Sequence, residues 1–382
     1  MKLGTPGFVG ERLRQARVSL GLTQASLAML IGEKTAQAVS HFESGSATPS
    51  PETFNRLLAI TRQPAHFFLT SIPAGLHVDT THFRSMRSLD ELARAKAEQH
   101  AMWLAEYVRY VSEYIEFPEL NLPDFSDLPK DPMYLTKAHI RIIAARLRQH
   151  WKLGEGPLPD LANLLESNGF IVSMQKFESP KWDAVSFWDE STNAPIILLN
   201  TDKPSYFRVR FNLLHELFHL LFHREVPVEA KKNKDYAKKL EDQANAFVGD
   251  MAFPFGVFEN DLYGMNLDAL RVIKRKWNFS IAAMIHRIED LGLVEENEAR
   301  NLWVNYSRRK WRAEEPWDDE VPLEEPIVLR RAVEAMVEHE AQTLNELRVN
   351  GVFSESTQSL LTGLPDDFWR TQEPQVNYKL FG

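Results

Sequence analysis

Residues 211–223 read Phe211-Asn212-Leu213-Leu214-His215-Glu216-Leu217-Phe218-His219-Leu220-Leu221-Phe222-His223, with neither Pro nor Gly among them. The lack of breakers predicts that His215-Glu216-Leu217-Phe218-His219 lies inside a helix. Residues four apart on a helix are about 40° apart around the axis and about 6 Å along it, so His215 and His219 share a face and can grip one Zn²⁺. Glu216, beside the first histidine, is placed to take a proton from a water on that ion, the role of a general base. The bland alternative is a buried helix whose histidines bond backbone carbonyls. Against it, two His and a Glu in an apolar helix carry a desolvation cost that a metal partner relieves.

A catalytic zinc needs a third protein ligand and an open fourth position. The chain has no cysteine, so that ligand is His, Asp or Glu, and disulfides are excluded. His223 lies about 12 Å along the axis from His215, too far for three imidazoles of one straight helix to converge, and suits a supporting hydrogen bond or a core position. Glu241 opens the next helical pattern, Glu241 to Val248, after the lysine-rich stretch Lys231 to Lys239. Glu241 and Asn245 share a face there: Glu241 can close the metal sphere while Asn245 orients a histidine from behind. Taken alone, Glu241 also reads as a solvated first-turn acid favoured by the helix dipole.

These residues resemble the ImmA/IrrE group of zinc-dependent peptidases, a thermolysin-like branch of the zincins. The resemblance extends upstream through Trp182-Asp183-Ala184-Val185-Ser186-Phe187, Ala194 to Asn200 and Arg208-Val209-Arg210-Phe211, and downstream through Glu241 to Phe247 and Phe253-Pro254, covering about residues 134–300. It implies zinc on His215, His219 and Glu241, a general base at Glu216, and cleavage of repressor-type transcription factors. One departure is Gly249-Asp250-Met251-Ala252, where a more apolar stretch is expected. Ile196 to Leu199 is a short apolar run that suits a strand buried on both faces, and an extended substrate could add to an exposed edge of its sheet. Tyr206 and His286 are the candidates for an oxyanion donor.

A second signal stands at the N-terminus. Glu11 to Arg17 is an amphipathic basic stretch ended by Gly21; Thr23 can cap a helix Gln24 to Ile31 that stops at Gly32; a third helix runs from about Thr35 to Ser44. Three short helices with a tight turn describe a helix-turn-helix. Over residues 8–70 this resembles the phage-repressor-like, XRE-type DNA-binding domain. Gln37, Ser40 and His41 are candidates for base edges, with Arg17 and Gln24 near phosphate. Residues 1–62 hold seven Lys/Arg and four Asp/Glu, a net of +3, leaving −12 for the rest. So modest a basic face calls for a homodimer on a near-palindromic site of duplex DNA, an activity expected of residues 1–75.

Between these signals, Ala93, Ala97, His100, Leu104, Tyr107, Val111 and Tyr114 recur at steps of four and three within a helical pattern over 86–116. That pattern suits a dimer seam or a helix packed on the second domain. Phe83-Arg84-Ser85 resembles a segment of fused members, and four prolines from Pro118 to Pro132 read as a linker. The expected architecture is α+β and predominantly helical: a helix-turn-helix domain at 1–75, a connector at 76–133, a zincin-like domain with a small sheet at 134–300, and a helical C-terminal region at 301–382 to which no chemistry is assigned. No run of 18 apolar residues and no charged-then-apolar leader is present, so neither a membrane span nor secretion is expected, and a cytoplasmic location fits both domains. The reading is a DNA-binding regulator with a zinc endopeptidase acting on a repressor or neighbouring gene product. The alternatives are a transcription factor or antitoxin whose zinc domain senses a ligand or partner without cutting, and a purely structural zinc protein.

Overall fold

A computed structural model describes residues 4–76, 90–179, 182–203 and 205–370. Its helices in chain order are α1 (Gly10–Ser19), α2 (Gln24–Ile31), α3 (Ala36–Glu43), α4 (Pro51–Thr61), α5 (Glu91–Ser112), α6 (Lys137–His150), α7 (Leu161–Ser167), α8 (Tyr206–Phe222), α9 (Val228–Lys232), α10 (Lys234–Ala252), α11 (Val257–Asn260), α12 (Leu267–Trp277), α13 (Ile281–Asp290), α14 (Glu296–Arg308), α15 (Val328–Glu338), α16 (Leu344–Asn350) and α17 (Glu355–Thr362). One sheet holds β1 (Ile171–Gln175), β2 (Ala184–Asp189) and β3 (Ala194–Asn200). The class is α+β and predominantly helical, as the sequence indicates. The chain divides into two compact units: Met1–Leu76 with Glu91–Glu116 and Leu329–Gly382, and His77–Asp90 with Phe117–Val328.

In the first unit, Thr23 caps α2 by accepting from Ser26 N at 3.0 Å, and Gly32 ends it at φ 76°. Gly10 lets α1 meet the end of α3: a Cβ there would stand 2.2 Å from the Phe42 carbonyl oxygen. Leu13, Ala16, Leu27, Ile31, Val39 and Leu57 close the small core. α5 packs on α1 and α17, burying Ala97, His100, Leu104, Tyr107 and Val111. The seven-residue repeat is thus spent on packing inside this unit, so the dimer seam read from it is not available along these residues. Residues 86–89 of that pattern, and Phe83-Arg84-Ser85, lie outside the described residues. The Phe67 and Trp103 rings pack at 5.8 Å, and Phe353 lies 5.2 Å from Trp103, so residues far apart in sequence complete one core. The C-terminal helical region is broken between α15 and α16. Glu340 takes φ +57°, and Thr343 starts α16 with its own capping box.

In the second unit β3 is central, parallel to β1 and antiparallel to β2, with Ser186 opposite Ile197. Every residue of β3 is buried, which accounts for its continuous apolar run. α8 packs on β2 and β3, and α10 lies against α8 and α6. α10 starts seven residues before Glu241, because the Asn233 side chain accepts from Asp235 N and Tyr236 N. Glu241 therefore sits two turns inside the helix, beyond the reach of its N-terminal dipole. The proline-rich stretch folds onto the unit: Trp151 Nε1 donates to Asn121 O at 2.9 Å, and Leu128 and Leu135 are buried. At the departure noted in 249–252, buried Asp250 meets Arg287 at 2.8 Å, while Arg148 donates to Met251 O. Polar residues fit that stretch because two arginines from neighbouring helices enter it. The acidic loop after α14 is likewise structural: Glu324 accepts from Leu161 N and Ala162 N and pairs with Arg210 of α8, and Glu315 accepts from Ile281 N and Ala282 N.

Candidate functional site

The face that α8 turns toward α10 carries His215 and His219, whose Nε2 atoms are 3.0 Å apart. Glu241 of α10 places carboxylate oxygens 3.5 Å from His215 Nε2 and 4.0 Å from His219 Nε2. One ligand atom from each residue lies within 4.8 Å of the others, a group that could hold a metal ion. Asn245 Oδ1 lies 3.2 Å from His215 Nδ1, on the far side of that ring from the cluster. His223, just past the last turn of α8, puts its Nδ1 2.8 Å from His219 Nδ1 and stays outside the ligand group. Burial lowers the basicity of His215, but the Glu241 hydrogen bond and the charges of Glu216 and Glu241 leave it raised overall.

Glu216 is 6% exposed, and its Oε2 accepts a 2.6 Å hydrogen bond from Ser186 Oγ of β2. Burial pushes its carboxyl up to about 7, against the opposing pull of His215 and the Ser186 bond. Such a group changes protonation near neutrality, as a general base must. Ser186 was not singled out from the sequence; the signal available was a hydroxyl in an otherwise apolar strand. A cavity of about 460 Å³ lined by Phe211, Asn245, Gly249, Phe253, His286 and Asp290 adjoins the cluster through Asn245. Phe211, on its wall, stacks at 5.9 Å on the His215 ring. His286 is 72% exposed on this cavity, whereas the Tyr206 hydroxyl lies 3.4 Å from Arg210 near the start of α8, away from the histidines.

On α3, Gln37 and His41 are exposed and Ser40 is half-buried, on the face opposite buried Val39 and Phe42. Arg17 and Gln24 behave differently. Arg17 Nε donates to Glu43 at 2.6 Å and its Nη1 to Leu22 O at 2.7 Å, and Gln24 Nε2 donates to Glu43 at 2.7 Å. The Glu43 side chain is 6% exposed and takes these donors, so that within the unit Arg17 and Gln24 serve as struts between α1, α2 and α3.

Two family models match the chain: a helix-turn-helix over residues 13–65 and an IrrE N-terminal-like domain, a peptidase family, over residues 166–289. A helix-turn-helix DNA-binding domain is joined to a metallopeptidase-like IrrE domain. No curated protein matches the chain. The IrrE-like span takes in the whole sheet, α8, α10 and α13, and so contains His215, Glu216, His219 and Glu241 together. The helix-turn-helix span takes in α2 and α3 with Gln37, Ser40 and His41. The protein is accordingly a regulator with a protease-like domain. Among the described residues, no helix is long and apolar enough to cross a membrane.

Proposed function

We propose that the IrrE-like domain is a zinc-dependent endopeptidase that cuts a repressor-type or neighbouring regulatory protein, while the helix-turn-helix domain binds duplex DNA as a homodimer. The observation that carries the peptidase reading is the convergence of His215 Nε2, His219 Nε2 and a Glu241 oxygen beside the buried carboxyl of Glu216. Two imidazole nitrogens and one carboxylate are the donor set of a catalytic zinc, with a position left for water or substrate. When bound, zinc supplies Lewis-acid chemistry, polarising a carbonyl and making water more acidic. His215, His219 and Glu241 would hold it, and Asn245 would orient His215.

The remaining work falls to the chain's own groups. Glu216 takes a proton from the attacking water and delivers it to the leaving amine, and Ser186 fixes the carboxylate for both transfers. Among the described residues β2 pairs with β3 alone, so an extended substrate can add its backbone beside β2. The cavity beside Phe211 and Asn245 then takes a neighbouring side chain.

The test is to incubate zinc-loaded protein with the products of its neighbouring genes and look for new termini by mass spectrometry. New termini made by the wild type and absent with Glu216→Gln support the reading. In cells, derepression should be lost in Glu216→Gln as completely as in His215→Ala. Normal regulation by the Gln variant, with zinc retained, would instead leave a regulator whose zinc domain senses or supports without cutting.

A further inference from the structure

His223 stands outside the ligand group, yet its ring is fully buried and both its nitrogens are engaged. Its Nδ1 lies 2.8 Å from His219 Nδ1, and its Nε2 lies 3.1 Å from Gln243 Oε1. Two facing Nδ1 atoms share one hydrogen, and the wider network decides which ring carries it. Gln243 Nε2 donates to Pro132 O at 2.7 Å and to Leu135 O at 3.1 Å. Carbonyls only accept, so this end of the amide is the NH₂ and the oxygen is what faces His223. An amide oxygen also only accepts, so His223 Nε2 bears a hydrogen. A neutral imidazole protonated at Nε2 has a bare Nδ1, and the shared hydrogen therefore belongs to His219 Nδ1. His219 is then left with a bare Nε2, the atom that faces His215 and Glu241.

We propose that Gln243, acting through His223, fixes the tautomer of His219 and so presents its lone pair to the metal. Both are positioning residues, and the relay is anchored on the backbone of the short turn Pro132–Tyr134 and Leu135. His215 is oriented differently: Asn245 Oδ1 meets its Nδ1, and the Phe211 ring stacks on it. The two histidines of one motif thus depend on separate supports from α10. This inference rests on the metal reading above for its consequence, though the tautomer itself is a property of the metal-free protein.

The experiment has two arms on the full chain. In the first, long-range ¹H–¹⁵N spectra of the metal-free wild type should show His219 as the Nδ1–H tautomer, and Gln243→Leu should convert it to a mixture while His215 keeps its signature. In the second, zinc affinity is measured by chelator competition. Gln243→Leu and His223→Phe should weaken it about 10- to 100-fold, the usual effect of removing an outer hydrogen-bond partner. His223→Gln, whose amide can accept from His219 and donate to Gln243, should stay within a few-fold of wild type. His219 found as the Nε2–H tautomer in the wild type overturns the proposal, as does unchanged zinc affinity in both Gln243→Leu and His223→Phe. A wild type that shows the expected tautomer but binds no zinc would defeat the metal reading and leave the relay standing.

Discussion

Glu216 is held where its charge is unwelcome: 6% exposed, with its carboxyl raised to about 7 by burial. A carboxyl raised in the folded state contributes stability that is fully present below its ordinary value of 4.5 and is lost as pH rises through about 7. The loss amounts to roughly 3 kcal/mol in order of magnitude. Glu216→Gln removes this dependence. We expect the metal-free Gln variant to melt several degrees above the metal-free wild type at pH 8 and level with it at pH 4, in thermal scans with chelator present. Equal melting at both pH values would show that the burial carries no such cost. The histidines and Glu216 were legible in the sequence because one helical turn fixes their relation. Ser186 and Gln243 were not, since the hydroxyl meets Glu216 across a strand-helix contact and the amide meets His223 across two helices. The Arg17–Glu43 pair was hidden for a related reason: its members lie 26 residues apart, beyond what local spacing reveals.

At the scale of elements, α8 is pinned near its start. Arg210, fully buried, pairs with Glu324, which also caps α7 through Leu161 N and Ala162 N. Glu324→Ala leaves a buried guanidinium unpaired and two helix donors unsatisfied, so we expect a loss of about 3–5 kcal/mol in urea unfolding of the zinc-free protein. A cost below 1 kcal/mol would mean that water replaces the carboxylate. The acidic loop offered no hint of this from sequence, because helix caps supplied from a distance leave no local pattern. On α3 the exposed face separates two kinds of residue. Gln37→Ala should weaken binding to the cognate site by about 1–3 kcal/mol and leave non-specific DNA binding unchanged, measured by fluorescence anisotropy. Arg17→Ala should instead lower stability by about 3–5 kcal/mol, because it strands the Glu43 carboxylate. Weaker binding to every sequence, with stability intact, would return Arg17 to the phosphate backbone.

At the scale of the whole molecule, the start and the later part of the chain build one unit. The guanidinium of Arg12 bonds Glu106 of α5, and Gln63 bonds Thr357 of α17. The early helices were legible from caps and glycines, whereas their dependence on distant segments was not. A fragment of residues 1–75 should therefore lack a cooperative thermal transition and bind DNA far more weakly than the full chain. If the fragment melts cooperatively and binds as well, α5 and α17 are dispensable. For the full chain, log affinity should fall linearly with log salt. The arrangement also bears on synthesis. Gln63 emerges from the ribosome 294 positions before its partner Thr357. At about 5–20 residues per second, that interval is roughly 15–60 s. The whole IrrE-like sequence is translated within it, so the protease-like domain can fold while the DNA-binding unit still waits for its last helices. A newly made chain then becomes competent to find an operator only once α17 has been made.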